Sequence, residues 1–320
     1  MSEAKVPYVG DLLKDCPSNW GRWGKDDEVG ALNYLDAEQV IAATRLVRKG
    51  KVFTLQVPMG DPAGDPVWPS RRSAERYQVL DEGHFNCGKG PVFPGGLHYA
   101  DDVMSAYLQG STQYDALGHV WYDGKLYNGY DAMSTVGGLS KVSVQPIAER
   151  GVVGRGVLID MARHRGKAAL DKGETFNHED LLEAAKKQGV VLSKRTILVI
   201  RTGFIETFKI LGKEEFYRNF LEPGLTFSRE LVSWFHEMEI PNLVTDTIGN
   251  EVTFDPVSGV SLPLHCALMR NLGVAFTEIC DLSKLAEDCQ QDGVWEFLYT
   301  AAPLKVVNGS GAPVNPIVLK

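Results

Sequence analysis

The stretch Gln109-Gly-Ser-Thr-Gln113-Tyr-Asp115-Ala-Leu-Gly-His119 sets polar side chains into otherwise apolar sequence. Read as an extended strand with a two-residue period, it turns Gln109, Ser111, Gln113 and Asp115 to one face. Four oxygen-bearing side chains on one patch are ligand geometry. A buried amide or carboxylate left unpaired costs about 1–3 kcal/mol or more, so the patch demands hydrogen-bond partners or a bound ion. His119 lies two steps further along the same alternation, close enough to share a site with Asp115.

Histidine is scarce, at seven residues. His164 in a basic loop, His178 in the first turn of a helix and His236 on an amphipathic helix read as surface or satisfied residues. His119 and His265 differ, because each neighbours apolar strand-like sequence and is associated with an inward carboxylate, Asp115 for the first and Glu278 for the second. A lone inward carboxylate needs a partner or neutralises. Two carboxylates, two histidines and two glutamines therefore point to one shared cation, while a buried hydrogen-bond network draws on the same residue types and stays open as the alternative. Other chemistry finds no support. Gly151-Val-Val-Gly154-Arg-Gly156 precedes a strand instead of following one, which is wrong for a dinucleotide loop. There is no phosphate loop, H-E-x-x-H or G-x-S-x-G elbow, and Cys266 beside His265 would point away from it.

The elements that must position these residues are partly legible. Asp36 caps a helix whose apolar stripe runs to Gly50, and Lys51 to Val57 alternates as a strand. Residues 58–97, rich in proline and glycine, form the longest irregular stretch, the kind used for lids or oligomer contacts. The segment after His119 carries Trp121, Tyr122 and Tyr127 between Asp-Gly and Asn-Gly turns, aromatics that could wall a pocket. Gly156–Asp160, Arg195–Arg201, Asn242–Asp246 and Gly273–Glu278 read as strands, with helices capped by Asn177 and Ser228 among them. A helix over 282–289 and strand-like runs at Trp295–Thr300 and Leu304–Val307 close the chain.

Composition bounds the rest. The 320 residues, 44% hydrophobic and 23% charged, suit one α/β core, with no apolar run of membrane-spanning length. A formal charge of −8 without a basic cluster argues against nucleic acid and acidic membranes as partners and favours a small neutral or cationic substrate or a metal ion. The N-terminus lacks the pattern of a secretory signal, and five scattered cysteines fit reduced thiols in the cytoplasm.

With these residues in view, the chain resembles the metal-dependent cyclase hydrolases, the superfamily of bacterial kynurenine formamidase and isatin hydrolase. Their H-x-G-[ST]-H-x-D-x-x-x-H signature is matched here by residues 109–119 with glutamine at its first two histidine positions. The likeness extends through the arm Trp20–Asn33, Val157–Asp160, Arg201–Phe204, Thr245-Asp246, Pro263–His265 with Glu278, and Ala302–Gly311. It implies a swivelling β/β/α fold in a single domain, residues 51–320, preceded by an N-terminal arm and helix over 1–50. It also implies a homodimer or homotetramer and metal-assisted hydrolysis of a small-molecule amide, either a lactam or an N-formyl or N-acyl amide.

The family's metal ligands fall on Gln109, Gln113, Asp115, His265 and Glu278, and its catalytic histidine falls on His119. Trp121, Tyr122 and Tyr127 become candidates for substrate packing. Amide carbonyls are neutral, hard donors, so one divalent ion is expected, with Mn²⁺ favoured and Zn²⁺ the alternative. The lost histidines also motivate a small-molecule-binding protein on the same scaffold, and a metal-dependent lyase or dehydratase is a third reading.

Overall fold

Nine strands join one mixed sheet in the computed structural model, which describes residues 6–320. Across the sheet they run Val52–Thr54, Ile317–Leu319, Glu296–Ala301, Val152–Asp160, Ile197–Arg201, Asn242–Thr245, Ala275–Glu278, Gln113–Asp115 and Gly311–Pro313. The four from Val152–Asp160 to Ala275–Glu278 are parallel, and antiparallel strands flank them on both sides. The parallel strands read as near-continuous apolar runs because both faces are covered. Ile197, Leu198, Val199 and Ile200 are all fully buried, each worth about 1.5–3 kcal/mol of burial. The result is an α/β architecture of the swivelling β/β/α type expected from the sequence.

Helices begin where short polar side chains accept backbone N–H groups. Asn177 accepts from Glu179 and Asp180 to start His178–Gln188, Ser228 accepts from Leu231 to start Arg229–Glu237, and Asp36 accepts from Gln39 to start Ala37–Thr44. Leu181, Ala184, Leu231, Val232 and Phe235 then pack into the core, as do Leu285, Ala286 and Cys289 of Ser283–Asp292. The N-terminal residues join the same core through Leu13, Ala31, Leu32 and Leu35. Gly30, at φ +62°, makes that docking close: a Cβ there would lie 2.4 Å from the Gly273 carbonyl, which accepts the Ala31 N–H.

Several local expectations change. The helix after Asp36 stops at Thr44, short of Gly50, and the strand expected over 51–57 is confined to Val52–Thr54. The irregular stretch over 58–97 holds order: Glu75–Leu80 pairs with Asp101–Ser105 as a two-stranded hairpin, with a helical turn at Glu82–Asn86 between them. Leu304–Val307 is not a strand. The closing strands are Gly311–Pro313 and Ile317–Leu319 instead; the Leu304 N–H bonds to the Pro313 carbonyl, and the chain then turns, with the Val306 carbonyl accepting from Gly309.

Candidate metal centre

The Gln113–Asp115 strand lies between Ala275–Glu278 and Gly311–Pro313, with Gln113 directly opposite Glu278 and Asp115 opposite Gly311. Its expected extension back to Gln109 is absent. Gly110 closes a turn through its N–H to the Tyr107 carbonyl, and Ser111 swings to the Val57 carbonyl at 3.3 Å. Period two therefore holds only for Gln113 and Asp115, both buried. The Gln113 amide nitrogen donates to Glu278 Oε2 at 2.6 Å, which leaves its carbonyl Oε1 free.

His265 opens a π-helical turn, His265–Asn271, and its ring is fixed from behind. Glu251 accepts the backbone N–H of Leu264 and of His265, each at 2.7 Å, and the ring Nδ1–H at 2.7 Å. Nε2 is thereby turned toward Glu278 Oε1, 3.4 Å away. Asn250, anchored on Thr245, donates to the same Glu278 oxygen at 3.2 Å.

Asp115, His265 and Glu278 each offer a ligand atom, and these atoms lie within 4.8 Å of one another. All three residues are buried. Two acceptors in this cluster, Asp115 Oδ1 and Gln113 Oε1, are buried without any hydrogen-bond partner. Orphaned acceptors of this kind cost about 1–3 kcal/mol each, and a cation supplies the missing interaction. One imidazole, two carboxylates and one amide carbonyl fit a divalent ion that accepts mixed oxygen and nitrogen donors.

The electrostatics agree with crowding of negative charge. Burial raises the Glu278 pKa, and the neighbouring Asp115 raises it further. Burial opposes charge on His265 as well, but its bonds to Glu251 and Glu278 outweigh this and hold its pKa at about 10. For His119 burial wins over the attraction of Asp115, and its pKa is lowered. Its Nε2 lies 4.0 Å from Asp115 Oδ1, at the edge of the cluster.

His119 also lines an open cavity of about 630 Å³ together with Trp121, Leu108, Leu139, Val306 and Ser310. Trp121 is half-exposed there. Tyr122 and Tyr127 are not among the lining residues. The turns that flank them fold inward, so Tyr127 is wholly buried with its hydroxyl donating to Asp27 at 2.9 Å, and Tyr122 donates to Asn271 at 3.1 Å under the Arg270 guanidinium. Both tie the N-terminal arm and the π-helical turn to the body. Gln109 sits beside the cluster, since a Cβ on Gly311 would meet its amide, yet its nitrogen donates to Ser310 at 3.0 Å and to no member of the cluster.

Sequence reading missed four residues. Glu251 and Asn250 orient His265 and Glu278, and the polar run Thr245–Glu251 just after a core strand was the available signal. Glu222 is fully buried, accepts the Ile248 N–H and thereby holds the loop that carries them; burial raises its pKa well above the ordinary carboxylate range. Arg71 donates to the Gln109 carbonyl at 3.1 Å, and its charge works against protonation of both His119 and Glu278.

The Cyclase family model, described as "Putative cyclase", matches residues 53–252. No curated protein matches the sequence. Among solved structures, one of a novel cyclase shares 37% identity over 95% of this chain and 99% of its own, with a TM-score of 0.86. Isatin hydrolase A from Ralstonia solanacearum, at 17% identity over 84% of this chain and 92% of its own, has a TM-score of 0.61. A structure titled a predicted metal-dependent hydrolase from Bacillus stearothermophilus, at 14% identity over 85% of this chain and 98% of its own, has a TM-score of 0.51. The last two likenesses are of fold.

Proposed function

The chain belongs to the cyclase family, and from that premise we propose that it hydrolyses an amide bond of a small molecule with the help of one divalent metal ion. The observation that carries this reading is the pair of buried, unpartnered acceptors, Asp115 Oδ1 and Gln113 Oε1, beside His265 and Glu278. Asp115, Gln113, His265 and Glu278 would hold the ion, and Gln109 could join them only by releasing Ser310. A bound divalent ion acidifies water and polarises a carbonyl, the two things an unactivated amide requires.

His119 then carries the proton. A neutral imidazole beside Asp115 can take a proton from attacking water and deliver it to the departing nitrogen, and burial, which lowers its pKa, favours that neutral form. Glu251 keeps the His265 Nε2 available as a ligand by occupying Nδ1. Trp121 and the apolar wall of the cavity receive an uncharged or aromatic part of the substrate, because that wall offers no lysine, arginine, aspartate or glutamate. Mn²⁺ suits the oxygen-rich donor set better than Zn²⁺.

Five unpaired cysteines support a reducing compartment such as the cytoplasm. No helix among the described residues is long and apolar enough to cross a membrane.

Elemental analysis of the purified protein, followed by a panel of lactams, N-formyl and N-acyl amides assayed with stoichiometric Mn²⁺ or Zn²⁺, tests the reading. Metal near one equivalent and turnover that His119→Ala abolishes would support it. A metal-free protein that binds small molecules without turnover would replace it with the binding-protein reading, which the glutamines at positions 109 and 113 favour.

A further inference from the structure

Five arginines are not exposed among the described residues: Arg71, Arg155, Arg195, Arg201 and Arg270. Arg155, Arg195 and Arg201 each pair with a carboxylate at 2.8 Å. Arg270 packs over the rings of Trp20 and Tyr122 and donates to Asn271 and to the backbone carbonyls of Tyr122 and Lys125. Arg71 has a single bond, from Nη1 to the Gln109 carbonyl at 3.1 Å, and no carboxylate within ion-pairing distance among the described residues. Its Nε and Nη2 donors are left over. A guanidinium is a planar fork of donors, one edge of which matches the two oxygens of a carboxylate. In a chain with more acidic than basic side chains, a half-buried fork without a partner is the exception that asks for a ligand.

The loop that carries Arg71 is built to hold still. Asp65, wholly buried, draws together the N–H groups of Gly60, Asp61 and Ala74, and its own N–H goes to the Ser73 hydroxyl. Tyr217 clamps Val67 by accepting its N–H and donating to its carbonyl. The Arg71 N–H closes a turn on the Trp68 carbonyl at 2.8 Å. Such preorganisation fixes where a charged group stands before a ligand arrives. Arg71 stands beside the metal cluster: the Gln109 that it grips begins the segment leading to Gln113 and Asp115, and both His119 and Glu278 feel its charge. The apolar cavity opens on the His119 side. A ligand seated at the cluster can thus lay an apolar part against Trp121 and an anionic part on Arg71. The overall charge of −8 does not forbid this, because attraction at contact is set by the nearest groups.

We propose that Arg71 is a specificity residue that receives a carboxylate carried by the substrate on its free Nε and Nη2 edge, so that the amides cleaved are anionic. That the carboxylate belongs to a cleaved amide rests on the hydrolase reading above, whereas carboxylate binding by Arg71 does not.

The test compares 2-, 3- and 4-formamidobenzoate with the corresponding carboxamides, which keep the shape and lose the charge. Titration calorimetry is carried out on full-length, metal-loaded His119→Ala protein, with and without Arg71→Gln. At least one acid should bind more tightly than its carboxamide, and Arg71→Gln should weaken that acid by about 10–100-fold while leaving the carboxamide unchanged. Arg71→Lys, which keeps the charge and loses the fork, should retain only part of the affinity. With His119 intact, the loss should appear in KM and not in kcat. Acid binding that Arg71→Gln does not weaken, with the carboxylate then resting on the ion, would overturn the proposal, as would binding of none of the three acids. Equal weakening of acid and carboxamide would reduce Arg71 to a structural prop for Gln109, and a fall in kcat alone for both would assign it to the reacting carbonyl; either outcome overturns the specificity role. Should Arg71→Gln fail to fold by circular dichroism, Arg71→Lys decides by the same criteria. Turnover of uncharged amides without dependence on Arg71 sinks this inference alone. Arg71-dependent binding of an acid without turnover of any amide sinks the hydrolase reading alone.

Discussion

Glu251 accepts twice from His265, at the ring Nδ1–H and the backbone N–H, and once more from the backbone N–H of Leu264 just before it, all at 2.7 Å. One carboxylate thereby fixes the tautomer, the rotamer and the backbone of the imidazole facing Glu278. Outer-shell carboxylates of this kind usually contribute about 10–100-fold to metal affinity. Glu251→Gln should weaken Mn²⁺ binding by about that factor in isothermal titration while leaving the circular dichroism spectrum unchanged. An unaltered affinity would mean that His265 is not a ligand.

Asp115 and Glu278 repel one another when no cation lies between them, which is why the Glu278 pKa is raised after burial has done its part. Asp115→Asn should accordingly remove bound metal, measured by elemental analysis, and should raise or leave unchanged the melting temperature of the metal-free protein. Loss of metal together with loss of the fold would point to a structural role for Asp115.

Protons and metal compete for this cluster. In the metal-free protein His265 is held at about pKa 10 and Glu278 is raised, against unfolded values of about 6.5 and 4.3. Both groups bind protons more tightly when folded, so their contribution to stability is full below the unfolded values and declines as pH rises through the folded ones. Thermal melts of chelator-treated protein should show lower stability at pH 9 than at pH 6, and Mn²⁺ should restore it. Because ligation displaces these protons, titrations at pH 7 in buffers of differing ionisation enthalpy should reveal proton release, with affinity falling by about tenfold per pH unit per proton displaced on the acid side. A metal affinity independent of pH between 6 and 8 would contradict this scheme.

Gln113 offers an amide carbonyl where an imidazole would favour zinc. Gln113→His should shift the preference between Mn²⁺ and Zn²⁺ toward Zn²⁺ by at least tenfold in competition experiments. No change would place the Gln113 side chain outside the coordination sphere.

His119 lies at the rim of the cluster and faces the open cavity. His119→Ala should cut kcat by about 10²–10⁴-fold and leave metal content intact. Equal loss of metal and activity would instead make it a ligand.

The convergence of Asp115, His265 and Glu278 was legible because inward polar groups on apolar strands must share partners, and the helix starts at Asp36, Asn177 and Ser228 were legible because capping chemistry is local. The turn at Gly110 was not, since the polar alternation from Gln109 to Asp115 continues across it in sequence while the backbone bends. Glu251 escaped notice because most of its partners are backbone N–H groups, which leave no pattern of side-chain types. Tyr127 shows a further limit: an aromatic between tight turns reads equally as pocket wall or core, and only its bond to Asp27 decides for the core. The hairpin was hidden by the prolines and glycines that surround it.

The strand bearing Gln113 and Asp115 belongs early in the chain but is clasped between Ala275–Glu278 and Gly311–Pro313. During synthesis it must wait for nearly the whole polypeptide before it finds its neighbours. Capture of an ion by Asp115 together with His265 and Glu278 would then report that the chain has been threaded correctly from end to end, so scarcity of the ion in the growth medium should lengthen the life of half-assembled chains and expose them to proteases.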